Sequence, residues 1–478
     1  MSTMARDDVL PSDEETPLLS PELVPRKQPT PVPWAQIWIL LVLQLVEPLT
    51  SQVIYPFTPE FVRNVGITHG DETRVGYYVG MMQSIFFATQ ALTVLHWSRL
   101  SDVVGRKPII LTGVFGLSLS MYSFGLSTTY WGATISRSLN GALNGNIGII
   151  KSIVAEITDP TNLPQVFAFM PVAWSTGGAL GTTIGGSLSR PAESFPDIFG
   201  NSEFLKKYPY FLPCAVTASF SALTWMITFV FLQETVPSPQ SLRTLLTGNA
   251  QSSSFLGSSE TDDAEKPYPL SQLMTRRVLL SVLNYATLSL VDISFRAIQP
   301  LFFSTPIHIG GLGLDPPSIG KILAFSAILN GVFQVTCFAR AHALWGTKRL
   351  FVGGLCCAIP MFALFPVMNA LTRVYGVGLV VYSAAALQAV WSLGLASCYG
   401  CVFISISAAS PNRASLGATN GIAQLLVSIT RAIGPAAATS LFSLSLAEGY
   451  VSGGMVYLVL LGVSLATIVF GTTLPMSP

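Results

Sequence analysis

Apolar runs of about 20 residues recur along the whole of this chain, and that recurrence constrains its fold more than any other feature. A run of that length crosses a bilayer as a helix. Inside lipid every backbone N–H and C=O must be satisfied within the protein, which leaves helices or closed barrels. The runs show no strict alternation of apolar and polar residues, so helices are expected. They fall near 34–56, 75–97, 108–126, 130–155, 165–188, 210–232, 278–303, 318–338, 350–368, 375–407, 414–440 and 453–473. The expectation is an all-α polytopic membrane protein of twelve transmembrane helices. Composition agrees: of 478 residues 50% are hydrophobic and only 10% charged, against roughly 25% charged in a soluble globular chain. A cytosolic enzyme and a disordered scaffold are excluded as main readings. The net charge of +1 offers no basic field for nucleic acid.

The runs divide into six plus six. Residues 1–33 are rich in proline and charge and read as a disordered cytosolic tail with no signal peptide. Residues 34–232 form one six-helix half and 278–478 the other. Residues 233–277, with the stretch QSSSFLGSSETDDAEKPYP, read as a flexible cytosolic linker. Fourteen loop Lys and Arg residues fall in the segments on the N-terminal side of the membrane and six in the opposite loops. That bias places both termini in the cytosol. Five basic residues remain within or at the edges of spans: Arg137, Lys151, Arg296, Lys321 and Arg431. For Lys151 and Glu156, near the cytosolic end of span 4, snorkelling to the surface suffices. The six cysteines lie in or beside apolar runs. Cys398 and Cys401 have metal-pair spacing but lack a second pair, and read as small packing residues.

The loop between spans 2 and 3 reads WSRLSDVVGRKPI. Gly105 permits a tight turn, while Asp102, Arg106 and Lys107 put charge at two helix ends. This arrangement resembles the major facilitator superfamily, whose loop signature is G-x-L-a-D-(R/K)-x-G-R-(R/K). Ser98 stands for the first Gly and Val103 for the first basic residue. The resemblance implies a cytosolic gate at Asp102, Gly105, Arg106 and Lys107 that latches the two halves, with the acid near the start of span 11. A degraded echo, ARAHALWGTKRLF at 339–351, places Gly346, Lys348 and Arg349 where the first copy has Gly105, Arg106 and Lys107; Ala343 replaces the acid. The same loop in both halves marks an internal repeat.

Span 4 carries Arg137 and Gly141, which fit the superfamily's R-x-x-x-G, with Gly145 and Gly148 on the same helix face. Span 5 carries Gly177, Gly181, Gly185 and Gly186, similar to the antiporter pattern G-x-x-x-G-P-x-x-G-G, with Thr182 in place of Pro. Small residues let helices approach closely in a membrane. Together with EITDPTN and YPYFLPC, these stretches resemble the drug:proton antiporter and zinc-induced facilitator-like branch. The resemblance implies a monomeric, proton-coupled carrier of small organic molecules. Zinc itself is not expected as cargo: His69, His96, His308 and His342 are scattered.

No cofactor motif, Walker A sequence, H-E-x-x-H or G-x-S-x-G is present, so neither an enzyme nor an ATP-driven pump is expected. The competing readings are a uniporter or symporter of the same fold, a channel, and a transporter-like receptor without turnover. Ionisable residues inside spans are functional by default. Glu47 lies thirteen residues into span 1 and Asp292 fourteen into span 7, its counterpart. These two carboxylates are expected to carry proton coupling. Arg296 sits one turn beyond Asp292 to pair with it, and Arg137 is available to Glu47. A cationic or neutral hydrogen-bonding substrate displaces the proton in this scheme. Gln388, Trp391 and Tyr399 on span 10 are candidates to line the cavity.

The tail contains Glu14 four residues before Leu18-Leu19, the form that adaptor complexes read as a sorting signal. It tips the expected address to a vacuolar membrane over the plasma membrane. Replacing Leu18→Ala and Leu19→Ala in a fluorescently tagged chain is expected to redistribute it among membranes. An unchanged distribution shows the motif to be inert.

Overall fold

A computed structural model describes residues 30–159, 162–236, 274–409, 416–451 and 453–474. The sorting motif at Glu14, Leu18 and Leu19 and nearly all of the linker lie outside the described residues. Within them, fourteen longer helices follow one another: α1 (Trp34–Gln52), α2 (Val75–Val104), α3 (Arg106–Gly125), α4 (Tyr130–Leu143), α5 (Asn146–Ile157), α6 (Leu163–Ser187), α7 (Phe211–Phe231), α8 (Arg276–Ser304), α9 (Pro316–Thr336), α10 (Phe338–Cys356), α11 (Ala358–Tyr375), α12 (Leu379–Ala409), α13 (Leu416–Ala447) and α14 (Met455–Gly471). Nine helical stretches among the described residues are long and apolar enough to cross a bilayer, with α10 and α11 counted as one. The other three expected spans are also helical: α4 with α5, α6, and the 17-residue α14. The architecture is consistent with twelve spans.

Hydroxyls inside the spans bond back to their own helix, as lipid requires. Thr50 donates to Val46 O at 2.9 Å, Ser221 to Thr217 O at 2.9 Å and Thr439 to Pro435 O at 2.8 Å. The sequence read span 4 as one helix. It breaks instead at Asn144 (φ −88°, ψ 70°), between α4 and α5. The run Asn140-Gly-Ala-Leu-Asn-Gly-Asn146 holds too many poor helix formers to stay continuous.

The internal repeat is visible in the backbone. Between α2 and α3, Gly105 takes φ 114° and ψ 153°. In the second half the chain kinks inside α10 at Gly346, with φ 71° and ψ 165°. Both lie in a region essentially closed to residues with a Cβ. The same strained glycine therefore turns the same corner twice.

The halves meet along two helix pairs, α2 on α13 and α6 on α9. In the second, a Cβ on Gly186 would stand 2.7 Å from Pro316 O. Arg63, in the connection after α1, donates to Ser304 at the end of α8, at 2.5 Å to Oγ and 3.0 Å to O. Ser84 Oγ accepts from Ala436 N at 2.9 Å. One apolar core, including Val53, Phe57, Phe124, Phe302 and Phe442, runs through both halves at this end. A second, around Ile37, Ile110 and Ile150, belongs to the N-terminal half alone. The bundle is thus sealed at the Arg63 end.

The remaining glycines of the span-5 pattern hold α6 on α1. Gly177, Gly181 and Gly185 face the carbonyls of Leu45, Leu49 and Val53, and a Cβ on Gly185 would overlap the last. Overpacking of this kind costs about 1–3 kcal/mol. Gly185→Ala is expected to lower the melting temperature of the purified protein in detergent, whereas Gly353→Ala, with open space around it, leaves it unchanged.

Candidate functional site: a polar chamber and a charged end

At the end of the bundle marked by Gly105, the first residues of α3 present unsatisfied N–H groups. Glu234, just past α7, satisfies two of them: its carboxylate accepts from Arg106 N at 2.9 Å and Lys107 N at 3.0 Å. A carboxylate there also meets the positive end of the helix dipole. Arg106 reaches the other way, to Glu156 at the end of α5 (3.0 Å) and to Ser101 Oγ (2.7 Å). Glu156 in turn accepts from Thr235 Oγ1. The charged residues of this loop therefore tie α3, α5 and the segment after α7 together within one half. Glu156 is held by a specific ion pair, where the sequence assigned it only to snorkelling. The side chain of Asp102, named as the core of the latch, lies outside the described residues, as does the start of the segment before α13.

Removal of the Glu234 carboxylate leaves two helix-end N–H groups without their partner. Loss of a helix cap costs about 0.5–2 kcal/mol. Glu234→Ala is expected to lower thermal stability by that order, and Glu234→Gln by less, read by unfolding in detergent.

The second polar region is in the middle of the bundle. Asp292 on α8 accepts from Arg296 Nε at 2.9 Å and from Tyr399 Oη on α12 at 2.8 Å. Among the described residues this is the one ion pair inside the spans. Of the 29 residues of α8, 21 are buried, yet the Arg296 side chain is 40% exposed. A helix so enclosed has no lipid face at that level, so the exposure opens into an internal chamber. Arg431 on α13 donates to Ser289 at 3.2 Å from the same side.

Glu47 on α1 is buried, at 8% exposed, and enters no ion pair among the described residues. Its side chain lies toward Asn144, with Arg431 and Lys151 as the cations in electrostatic range. Arg431 belongs to the other half, so the chamber is built by both. Lys151 is exposed and stands 5.9 Å from the Phe403 ring of α12. It points inward, where the sequence had it snorkelling. Arg137, the partner available to Glu47 by sequence, sits elsewhere: it is 1% exposed with its guanidinium 4.4 Å over the Phe86 ring. The halt of α4 at Asn144 re-aims the second half of span 4, and no motif announced that.

Of the three span-10 candidates, Tyr399 reaches the chamber. Gln388 is fully buried, accepting from Gln299 Nε2 at 3.3 Å and donating to Met361 O at 2.9 Å, a packing role. Trp391 is exposed. All six cysteines are free, with Cys398 and Cys401 buried. Among the described residues no three His, Cys, Asp or Glu side chains gather into a metal-holding group.

An all-helical membrane bundle that holds a carboxylate, a guanidinium and a phenol together in its middle is the build of a carrier. The Major Facilitator Superfamily model matches residues 40–435, and the chain belongs to that family. It is similar to the major facilitator superfamily multidrug transporter mfsB of Aspergillus fumigatus, 27% identical over 87% of this chain and 80% of that protein. It is likewise similar to Protein ZINC INDUCED FACILITATOR-LIKE 1 of Arabidopsis thaliana, 29% identical over 86% of this chain and 83% of that one. Among solved structures, a D-xylose-proton symporter superposes with a TM-score of 0.68 at 14% identity, covering 93% of this chain and 98% of its own.

Proposed function

We propose that the chain is a proton-coupled antiporter of small organic molecules that works as a monomer by alternating access, with Glu47 and Asp292 as its proton-carrying groups. The arrangement around Asp292 carries this reading. Asp292 is a carboxylate deep in the bundle, held by Arg296 at 2.9 Å and by Tyr399 at 2.8 Å, so taking up a proton breaks an ion pair and losing it restores one. The exchange follows when the chamber opens and water reaches the acid. A proton then loads from one side and leaves to the other. Glu47 occupies the corresponding place in the first half, facing a cation of the second.

With both termini in the cytosol, the sealed Arg63 end faces away from the cytosol and the molecule is closed to that side. A vacuolar membrane remains the favoured address, with the tail as the adaptor-binding segment. The names of the relatives, a multidrug transporter and a zinc-induced facilitator-like protein, support a small-molecule cargo. A receptor of the same fold would bind without turnover, which flux into sealed vesicles separates.

Glu47→Gln and Asp292→Asn are expected to abolish substrate flux driven by an imposed pH gradient while leaving substrate binding and exchange partly intact. Two variants that respond to the gradient as strongly as the wild type refute the assignment and make the carboxylates structural.

A further inference from the structure

Asp292 is held at one oxygen only. Arg296 Nε donates to its Oδ2 at 2.9 Å, and Tyr399 Oη donates to the same Oδ2 at 2.8 Å. Oδ1 takes no hydrogen bond from any described residue, and it is not one of the polar atoms that protein seals off. The Asp292 side chain is 13% exposed and the Arg296 side chain beside it 40%. Oδ1 is therefore the oxygen that meets the chamber. A guanidinium that takes a carboxylate in bidentate fashion uses both oxygens. Here Arg296 gives one N–H to Oδ2, and the phenol fills the rest of that oxygen.

Tyr399 comes from α12, and its ring is not free to swing. Tyr285 of α8 meets it edge-on, with centroids 6.1 Å apart and planes at 86°. Phe403, one turn further along α12, lies 6.4 Å from it, and Tyr285 and Phe403 meet each other at 5.2 Å. Three rings in pairwise contact fix the direction of the Tyr399 hydroxyl. Lys151 of the N-terminal half stands 5.9 Å from the Phe403 ring, so the cluster also touches the other half. Packing accounts for the rings. It does not account for a hydroxyl on an oxygen that already has a cation, since a Phe fills the same space. The other titratable groups that face Asp292 are Tyr285 on α8, Cys398 on α12, Arg431 on α13 and Tyr55 after α1. Among the described residues none of these bonds to either of its oxygens.

We infer that Tyr399 is a positioning residue of the proton site: with Arg296 it occupies Asp292 Oδ2, so that the proton enters and leaves at Oδ1. The proton comes from hydronium in the chamber, which is left as water, and it returns to water when the acid ionises. A proton on Oδ1 ends the ion pair as a pair of charges but leaves both donors in place. A proton on Oδ2 would have to displace the guanidinium or the phenol. The side chain therefore exchanges its proton without swinging away from its partners. A hydrogen bond to a carboxylate is stronger than one to a neutral acid, so the phenol also sets how readily the proton is taken. This deepens the reading of Asp292 as a proton-carrying group and rests on it.

The test is an infrared titration of the purified full chain, which needs neither substrate nor gradient. Protonated Asp292 gives a carboxylic C=O stretch, identified as the band that Asp292→Asn removes. With the proton on Oδ1 the C=O oxygen is Oδ2, which accepts two bonds, so the band is expected at the low-frequency, strongly hydrogen-bonded end of the carboxylic range. Tyr399→Phe keeps the ring and removes one donor. The band is expected to move to higher frequency and its titration midpoint to rise by about one to two pH units, the worth of one hydrogen bond to a charged group. Tyr285→Phe removes a phenol of the same ring cluster that does not bond Asp292, and is expected to change neither. Thermal unfolding shows whether each variant is folded; if Tyr399→Phe is not, the wild-type band position decides the point. A wild-type band at the frequency of a free acid, an unmoved midpoint in Tyr399→Phe, or an equal shift in Tyr285→Phe overturns the inference. Loss of gradient-driven flux in Asp292→Asn beside an unmoved midpoint in Tyr399→Phe sinks this inference alone. An undiminished gradient response in the Glu47 and Asp292 variants sinks the coupling reading, on which the infrared bands do not bear.

Discussion

A charge inside a bilayer persists only where protein or water compensates it, and this constraint organises the middle of the molecule. Asp292 and Arg296 settle it locally, one helical turn apart and joined by Tyr399 from another helix. Glu47 and Arg137 are not paired with each other and draw on different neighbours. The compensation therefore differs between the halves, although the two carboxylates occupy equivalent helices. In the C-terminal half the acid is already matched. In the N-terminal half acid and base are kept apart by a broken helix. A broken helix in the membrane is tolerated where it is buried in protein, and the α4–α5 break at Asn144, 1% exposed, is such a case.

The second constraint is how closely helices can approach. In lipid there is no hydrophobic drive between helices, so contact depends on fit. The glycines of span 5 divide this work. Three of them seat α6 on the carbonyls of α1 within a half, and Gly186 meets α9 across the halves. The glycine pattern is physically a close-packing surface: one helix smooth toward α1 on one side and toward α9 on the other. The seal at the Arg63 end adds polar contacts to that surface, and Arg63 to Ser304 joins a loop of one half to the end of α8 in the other.

Much of this was legible in the residues. Apolar length gave the spans, the echo at 339–351 gave the repeat, and the i, i+4 spacing of Asp292 and Arg296 gave a contact that the structure contains. What was not legible depends on tertiary placement. Nothing local to QET at 233–235 says that Glu234 caps a helix more than a hundred residues earlier. Nothing in the spacing of Lys151 separates a residue that snorkels outward from one that points inward. The difference is a backbone break at Asn144, for which the Asn- and Gly-rich run is a signal only in retrospect. Gln388 and Tyr399 stood equal as cavity candidates by sequence, and only the helix rotation that buries one and turns the other to Asp292 tells them apart.

The two loop corners show how a repeat can keep its geometry and lose its chemistry. Gly105 and Gly346 share a backbone conformation that other residues avoid, so the turn itself is common to both halves. Around Gly105 the charges are engaged: Arg106 with Glu156, and Glu234 with the N–H groups of Arg106 and Lys107. Around Gly346 neither Lys348 nor Arg349 enters an ion pair among the described residues, and Ala343 stands where the first copy has an acid. A guanidinium pair at a partly buried loop is worth on the order of 1 kcal/mol. An asymmetry of that size does not decide whether either half folds. It does decide which loop holds its helix ends together. On this geometry the Gly105 corner is the braced one of the two.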